Sequence, residues 1–189
     1  MKGFLALARV IDALNRYLGQ AVAWAVLAAI LISSGNAILR RLFGMSSNAW
    51  LEMQWYLFGA VVMLCAAWAL RDGAHVRVDI LASKLSRRWQ NRLELFGLVV
   101  FLMPFAALMV WLSVPYVEAS LASGEVSLNP GGLTIWPIKA VILIGFVSLM
   151  VQGVSEIIKR IAIMTGHLED SEAAKVAPLP EPETDAALR

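Results

Sequence analysis

The chain has 189 residues, of which 59% are hydrophobic and 16% charged, with a formal net charge of +2. A soluble domain carries roughly 25% charged residues, so this composition excludes an ordinary water-soluble fold. A single cysteine, Cys65, excludes a disulfide framework and a CxxC redox pair.

The charges leave long gaps. There are 23 uncharged residues between Arg16 and Arg40, 18 between Glu52 and Arg71, and 23 between Glu94 and Glu118, while Leu133 to Ser155 carries only Lys139. At about 1.5 Å rise per residue, some 20 apolar residues cross the roughly 30 Å hydrocarbon core. The predicted fold class is an all-α integral membrane protein with four transmembrane helices and amphipathic interfacial helices.

In chain order, residues 1–18 read as an amphipathic helix. Phe4, Leu7, Ile11, Leu14 and Leu18 recur at helical spacing, with Lys2, Arg9, Asp12 and Arg16 off that stripe. Such a helix is expected either to lie in the headgroup region before the chain turns inward, or to extend the first span. A cleaved signal peptide is disfavoured, because the apolar run exceeds the usual length of about 7–15 residues and no clear A-x-A site follows.

The membrane domain is expected over 19–163, with spans at about 19–39, 50–70, 87–116 and 136–159. In the first span Ala21, Ala25, Ala29, Ser33 and Ala37 stand four apart. Small residues at that spacing let two helix backbones approach closely, so they are candidates for a packing face. Residues 164–189 are acidic and Pro-rich, and are expected to be a disordered tail. No internal repeat is evident, which argues against an inverted-repeat transporter within this chain.

The segment "RDGAHVRVDIL" (71–81) gathers His75, Arg77 and Asp79 after a nearly uncharged run. It reads as a boundary element between spans. Asp79 is placed to cap a short interfacial helix carrying Leu81, Leu85, Trp89 and Leu93, and Ser86 to cap the third span. A His-x-x-x-Asp metal pair would lack a third ligand. His75 is expected to hydrogen-bond within this turn or to a larger partner.

Haem ligation needs histidines inside the spans, yet His75 falls in a loop and His167 in the tail. There is no HExxH, GxSxG or glycine-rich phosphate loop. No enzyme activity, cofactor or metal is expected, and no nucleic-acid partner.

Polar residues at membrane depth are costly and become the candidate functional positions. Asn36, Glu52 and Gln54 fall near one end of the spans, with Lys139 at a similar level. Gln152 and Glu156 approach the other end. Lys139, Arg40, Glu52 and Glu118 are expected to form a charge cluster that ties the spans together, and snorkelling is the plain alternative for Lys139. No acid falls at the midplane, where a coupling carboxylate would be sought. The segment 119–139 contains a turn signal, Asn129-Pro130-Gly131-Gly132, and Glu125. It reads as a contact for an extracytoplasmic partner or as a connector with Pro137 opening the fourth span.

Orientation follows from lysine and arginine. The segments that must share one side hold 13 of them, and the opposite side holds Arg40 and Arg41. By the positive-inside rule both termini are expected in the cytoplasm.

The run "SSNAWLEMQWYLFGAVVMLCAAWALRDGAHVRVDIL", with four spans and both ends inside, resembles the small membrane (Q) subunit of tripartite ATP-independent periplasmic (TRAP) transporters. The carrying residues are Glu52 and Trp55, then Arg71, Gly73, His75, Arg77, Val78 and Asp79. A second match is "NPGGLTIWPIKAVILIGFVSLMVQGVSEIIKRI". The resemblance covers about residues 5–163 and is closest to the branch labelled for mannitol or chloroaromatic compounds. It implies a bacterial inner-membrane subunit that packs on the static scaffold of a large membrane subunit, in lipid. The large subunit would hold the substrate and sodium sites, and a periplasmic binding protein would deliver an organic acid. The alternatives are a small autonomous homodimeric transporter and a structural membrane protein.

Overall fold

The computed structural model describes residues 2–73 and 86–168. His75, Arg77 and Asp79, the short helix that Asp79 was expected to cap, and the tail beyond residue 168 lie outside the described residues. Four helices organise the rest: α1 Lys2–Phe43, α2 Asn48–Arg71, α3 Arg87–Ser123 and α4 Trp136–Met164. All four are long and apolar enough to cross a membrane.

α1 is a single unbroken helix, so the chain does not turn at residue 18. Alanine and leucine dominate it and no proline interrupts it, which leaves nothing in the backbone to stop the helix between Lys2 and Gly44. Its 42 residues span about 63 Å, far more than the hydrocarbon core. Gly19 lies against Trp68, near the end of α2. Residues before Gly19 therefore run past α2 and pack on the last turns of α4.

The N-terminal stretch packs through one narrow face, and Arg9 and Arg16 lie off it, exposed. Phe4, Leu7 and Leu14 are exposed, whereas Ala8, Ile11 and Asn15 are buried. In water the apolar stripe would turn inward. Here hydrocarbon is the solvent, and small and polar residues make the contact.

α3 begins after Ser86, whose carbonyl accepts from Trp89 N–H at 2.8 Å and Gln90 N–H at 3.0 Å. Ser86 occupies the N-cap position, but its side chain makes no capping bond. The helix passes through a π-helical turn at Leu98–Leu102, just before Met103-Pro104. Proline lacks an N–H and its ring crowds the carbonyl four residues back, and the wider turn relieves both problems. α3 continues through Pro115 to Ser123, beyond the expected end at Tyr116. The reason is a continuous inward face of Ala106, Ser113, Val117 and Ser120, with Glu118, the first charge after Glu94, turned outward.

α4 is the central element. It packs on α1, α2 and α3, and α1 also packs on α2. The largest fully buried side chains are Gln152, Ser120 and Ser155, while Trp24, Trp55, Phe58 and Trp111 are among the most exposed. Polar groups inside and aromatic groups outside suit a lipid solvent.

Candidate functional site

Two polar clusters hold α4 at its opposite ends. At the end bearing the α3–α4 connection, residues 124–135 fold back as a small hairpin. Val126 and Thr134 form an antiparallel bridge, with Ser127 N–H donating to Leu133 C=O at 2.8 Å and Ile135 N–H to Glu125 C=O at 3.1 Å. The tip is the predicted turn: Gly132 N–H donates to Asn129 C=O at 2.9 Å. Pro130 supplies the fixed φ, and Gly131 takes the φ of +69° that this turn needs at its third position.

Glu52, from the first turns of α2, fastens this hairpin. Its carboxylate accepts from Leu133 N–H at 2.7 Å, Asn129 Nδ2 at 2.8 Å and the Ser127 hydroxyl. Asn48 Nδ2 donates to Pro130 C=O at 3.0 Å, and Tyr56 hydroxyl to Thr134 C=O at 3.1 Å. Gly132 has no room for a side chain, because a Cβ would meet Ser127 Cβ at 2.5 Å and Glu52 Oε1 at 2.9 Å.

The neighbouring ion pair is Lys139 with Glu125, and Ser120 also donates to Glu125. Lys139 Nζ stands 4.0 Å from the centroid of the Tyr116 ring. This corrects the expected cluster in two respects. Lys139 is only 8% exposed, and it reaches Glu125 instead of snorkelling. Glu52 spends its oxygens on the hairpin, and Arg40 and Glu118 lie exposed outside the cluster. Hydrogen bonding from Lys139, then from Ser120, holds the Glu125 carboxyl below the usual carboxylate range.

At the other end, the last turns of α4 meet the first turns of α1. Asn15 Nδ2 donates to Gln152 Oε1 at 2.8 Å. Gln152 Nε2 donates to Asp12 Oδ1 at 2.8 Å and to Glu156 Oε1 at 3.0 Å. Ser155 hydroxyl reaches Asp12 Oδ1 at 2.8 Å, and Lys159 Nζ bridges Asp12 Oδ2 at 3.1 Å and Glu156. Alongside, Arg160 pairs with Glu94 and donates to Asn91 Oδ1 at 3.1 Å, which ties α3 to the same end.

Gln152 and Glu156 are where the sequence placed them, but Asp12, Asn15 and Ser155 were missed as their partners. A usable signal existed. Gln152, Ser155, Glu156 and Lys159 share one face of α4, and a polar stripe at the border of a span needs a matching polar stripe elsewhere, here Asp12 and Asn15. Among the described residues no three metal-ligating side chains come together.

The small-residue face is present only in part. Ala25, Ala29 and Ser33 are half-buried, while Ala21 and Ala37 are exposed. Steps of four residues advance about 40° around a helix of 3.6 residues per turn, so a strict four-spaced row leaves the contact at both ends. The packed face instead mixes steps of three and four, through Ala8, Ile11, Asn15, Gly19, Val22, Ala25 and on to Asn36, which is buried. Trp55 is 70% exposed at the start of α2.

A four-span helical membrane protein whose two polar clusters join its own helices has the character of a membrane-embedded component. A family model described as "Tripartite ATP-independent periplasmic transporters, DctQ component" matches residues 29–162. That is more than half of the chain, which therefore belongs to this family: it is a small component of a TRAP transporter. No curated protein and no solved structure matches the chain.

Proposed function

We propose that this chain packs on the large membrane subunit of its transporter as part of a static scaffold in the bacterial inner membrane. The system would drive uptake of an organic acid with sodium, the acid being delivered by a periplasmic binding protein. Both termini would face the cytoplasm, in keeping with the 13 to 2 distribution of basic residues. The likeness to the mannitol or chloroaromatic branch does not fix which acid is carried.

The observation that carries this reading is the pair of polar clusters. One joins α2 and α4 through the hairpin, and the other joins α1 and α4 through Asp12 and Gln152. A body clamped at both ends suits a part that stays still while a partner moves. His75 is proposed to hydrogen-bond within its turn or to the large subunit.

Reconstitution tests the reading. Proteoliposomes holding the large subunit, this chain and the binding protein should show sodium-driven uptake of an organic acid, and proteoliposomes holding this chain alone should show none. Uptake by the chain alone would overturn the proposal.

A further inference from the structure

At the end of the bundle where α1 and α3 begin, every carboxylate among the described residues is already paired. Asp12 and Glu156 share Lys159, Glu94 pairs with Arg160, and Asp72 with Arg71. Arg9, Arg16, Arg87, Arg88 and Arg92 are exposed, and none of them meets a carboxylate among the described residues. The outer surface of this end is therefore cationic.

The arginines differ in their surroundings. Arg9 lines a cleft with Asp12 and Lys159, where the charges offset one another. Arg87 turns to Gln90 Oε1 at 3.4 Å. Arg88 and Arg92 stand one turn apart on α3, and Glu94 faces the other way, towards Arg160 on α4. The Arg92 guanidinium lies 5.3 Å from the centroid of the exposed Trp89 ring. Further along the same side, Leu93 and Phe96 are exposed, and the Phe96 ring meets the exposed Phe101 ring edge-on at 5.9 Å.

This face thus has a cationic head and an apolar stem. The uncharged run after Glu94 is 23 residues long, or about 35 Å, enough to cross a hydrocarbon core of roughly 30 Å. Arg92 and Arg88 precede that run by about 5 and 10 Å, where charge is cheap because headgroups and water replace hydrocarbon.

We propose that this face of α3 binds an anionic phospholipid, its phosphate held by Arg88 and Arg92 and an acyl chain lying along Leu93, Phe96 and Phe101. A guanidinium matches phosphate oxygens with parallel N–H bonds, and a lipid of net negative charge answers the excess of arginine. A free anion would use the arginines and leave the apolar stem bare. The site does not depend on the scaffold reading and goes beyond it.

The test uses the full chain in phosphatidylcholine vesicles carrying a trace of photoactivatable phosphatidylglycerol, with adducts mapped by mass spectrometry. Adducts should concentrate in residues 93–101, about tenfold above those from photoactivatable phosphatidylcholine. Arg88→Gln with Arg92→Gln should remove that excess. Arg9→Gln with Arg16→Gln, which subtracts the same charge from α1, should leave it. Both double variants should melt as the wild type does, since all four positions are exposed. Equal labelling by the two lipids overturns the site, and so does an equal loss in both double variants. Inorganic phosphate that removes the excess, where sodium chloride of equal ionic strength does not, would show a site for the free anion and overturn the lipid. Loss of the adducts when the large subunit is added to the vesicles would give the face to a protein partner and overturn it as well.

Discussion

The two ends of α4 are fastened in different ways. At the hairpin end, Glu52 binds mainly to a short stretch of chain, gathering one main-chain N–H and two side chains from residues 127–133. At the other end, the bonds run between side chains of α1 and α4 that are separated by 137 to 147 residues. The first arrangement shapes a loop and then attaches it. The second sets how two long helices lie against each other, so damage there reaches the whole bundle.

The largest effect is therefore expected from Gln152→Leu. Gln152 is fully buried and bonds Asn15, Asp12 and Glu156 at once. Leucine keeps the volume and leaves the buried Asn15 amide without its acceptor, a loss of about 2 kcal/mol. The melting temperature of the detergent-solubilised chain should fall clearly, and an unchanged value would show that the α1–α4 contact does not depend on this network. Glu52→Ala should act more locally. The Leu133 amide loses its acceptor, so its hydrogen exchange should accelerate while amides in the middle of α4 keep their protection. Equal acceleration in both places would erase the contrast between the two ends.

Much of the frame was legible in the residues. Charge gaps located four spans because charge is expensive in hydrocarbon, and Asn129-Pro130-Gly131-Gly132 located the turn because its residues carry the required dihedral angles. Pairing was harder to read. Glu52, Glu125 and Lys139 were each visible, but opposite charge alone joined Lys139 to Glu52, and only the folded hairpin shows Glu125 reaching Lys139 while Glu52 takes the main chain. Asp12 was visible only as a residue off the apolar stripe of a helix at the membrane surface, without its partners on α4. In the fold Asp12 is half-buried against α4, while Arg9 and Arg16 stay exposed and Leu7 and Leu14 face outward.

Acid should separate the ends further. Lys139 and Ser120 hold the Glu125 carboxyl below its ordinary range. A depressed folded value means that the stabilisation is present above the ordinary carboxylate pKa and is lost as pH falls through the folded one. The wild type should lose some thermal stability as pH falls below the ordinary carboxylate range that Glu125→Gln does not lose. Glu125 is about one-third exposed, so water screens the pair and the difference should be modest. Identical acid profiles would mean that Glu125 is not held this way.

The smallest effect is expected from Arg40→Gln. Sequence alone placed Arg40 with Glu52 and Lys139, yet it is exposed in the last turn of α1, away from the hairpin bonds. A surface substitution of this kind stays within about 0.5 kcal/mol. The comparison with Glu125→Gln is the useful part, since both remove a formal charge at the same end of the bundle. If Arg40→Gln lowers the melting temperature as much as Glu125→Gln does, the cluster extends to α1. If it does not, the hairpin end is fastened by α2, α3 and α4, and α1 is held there only by its packing on α2.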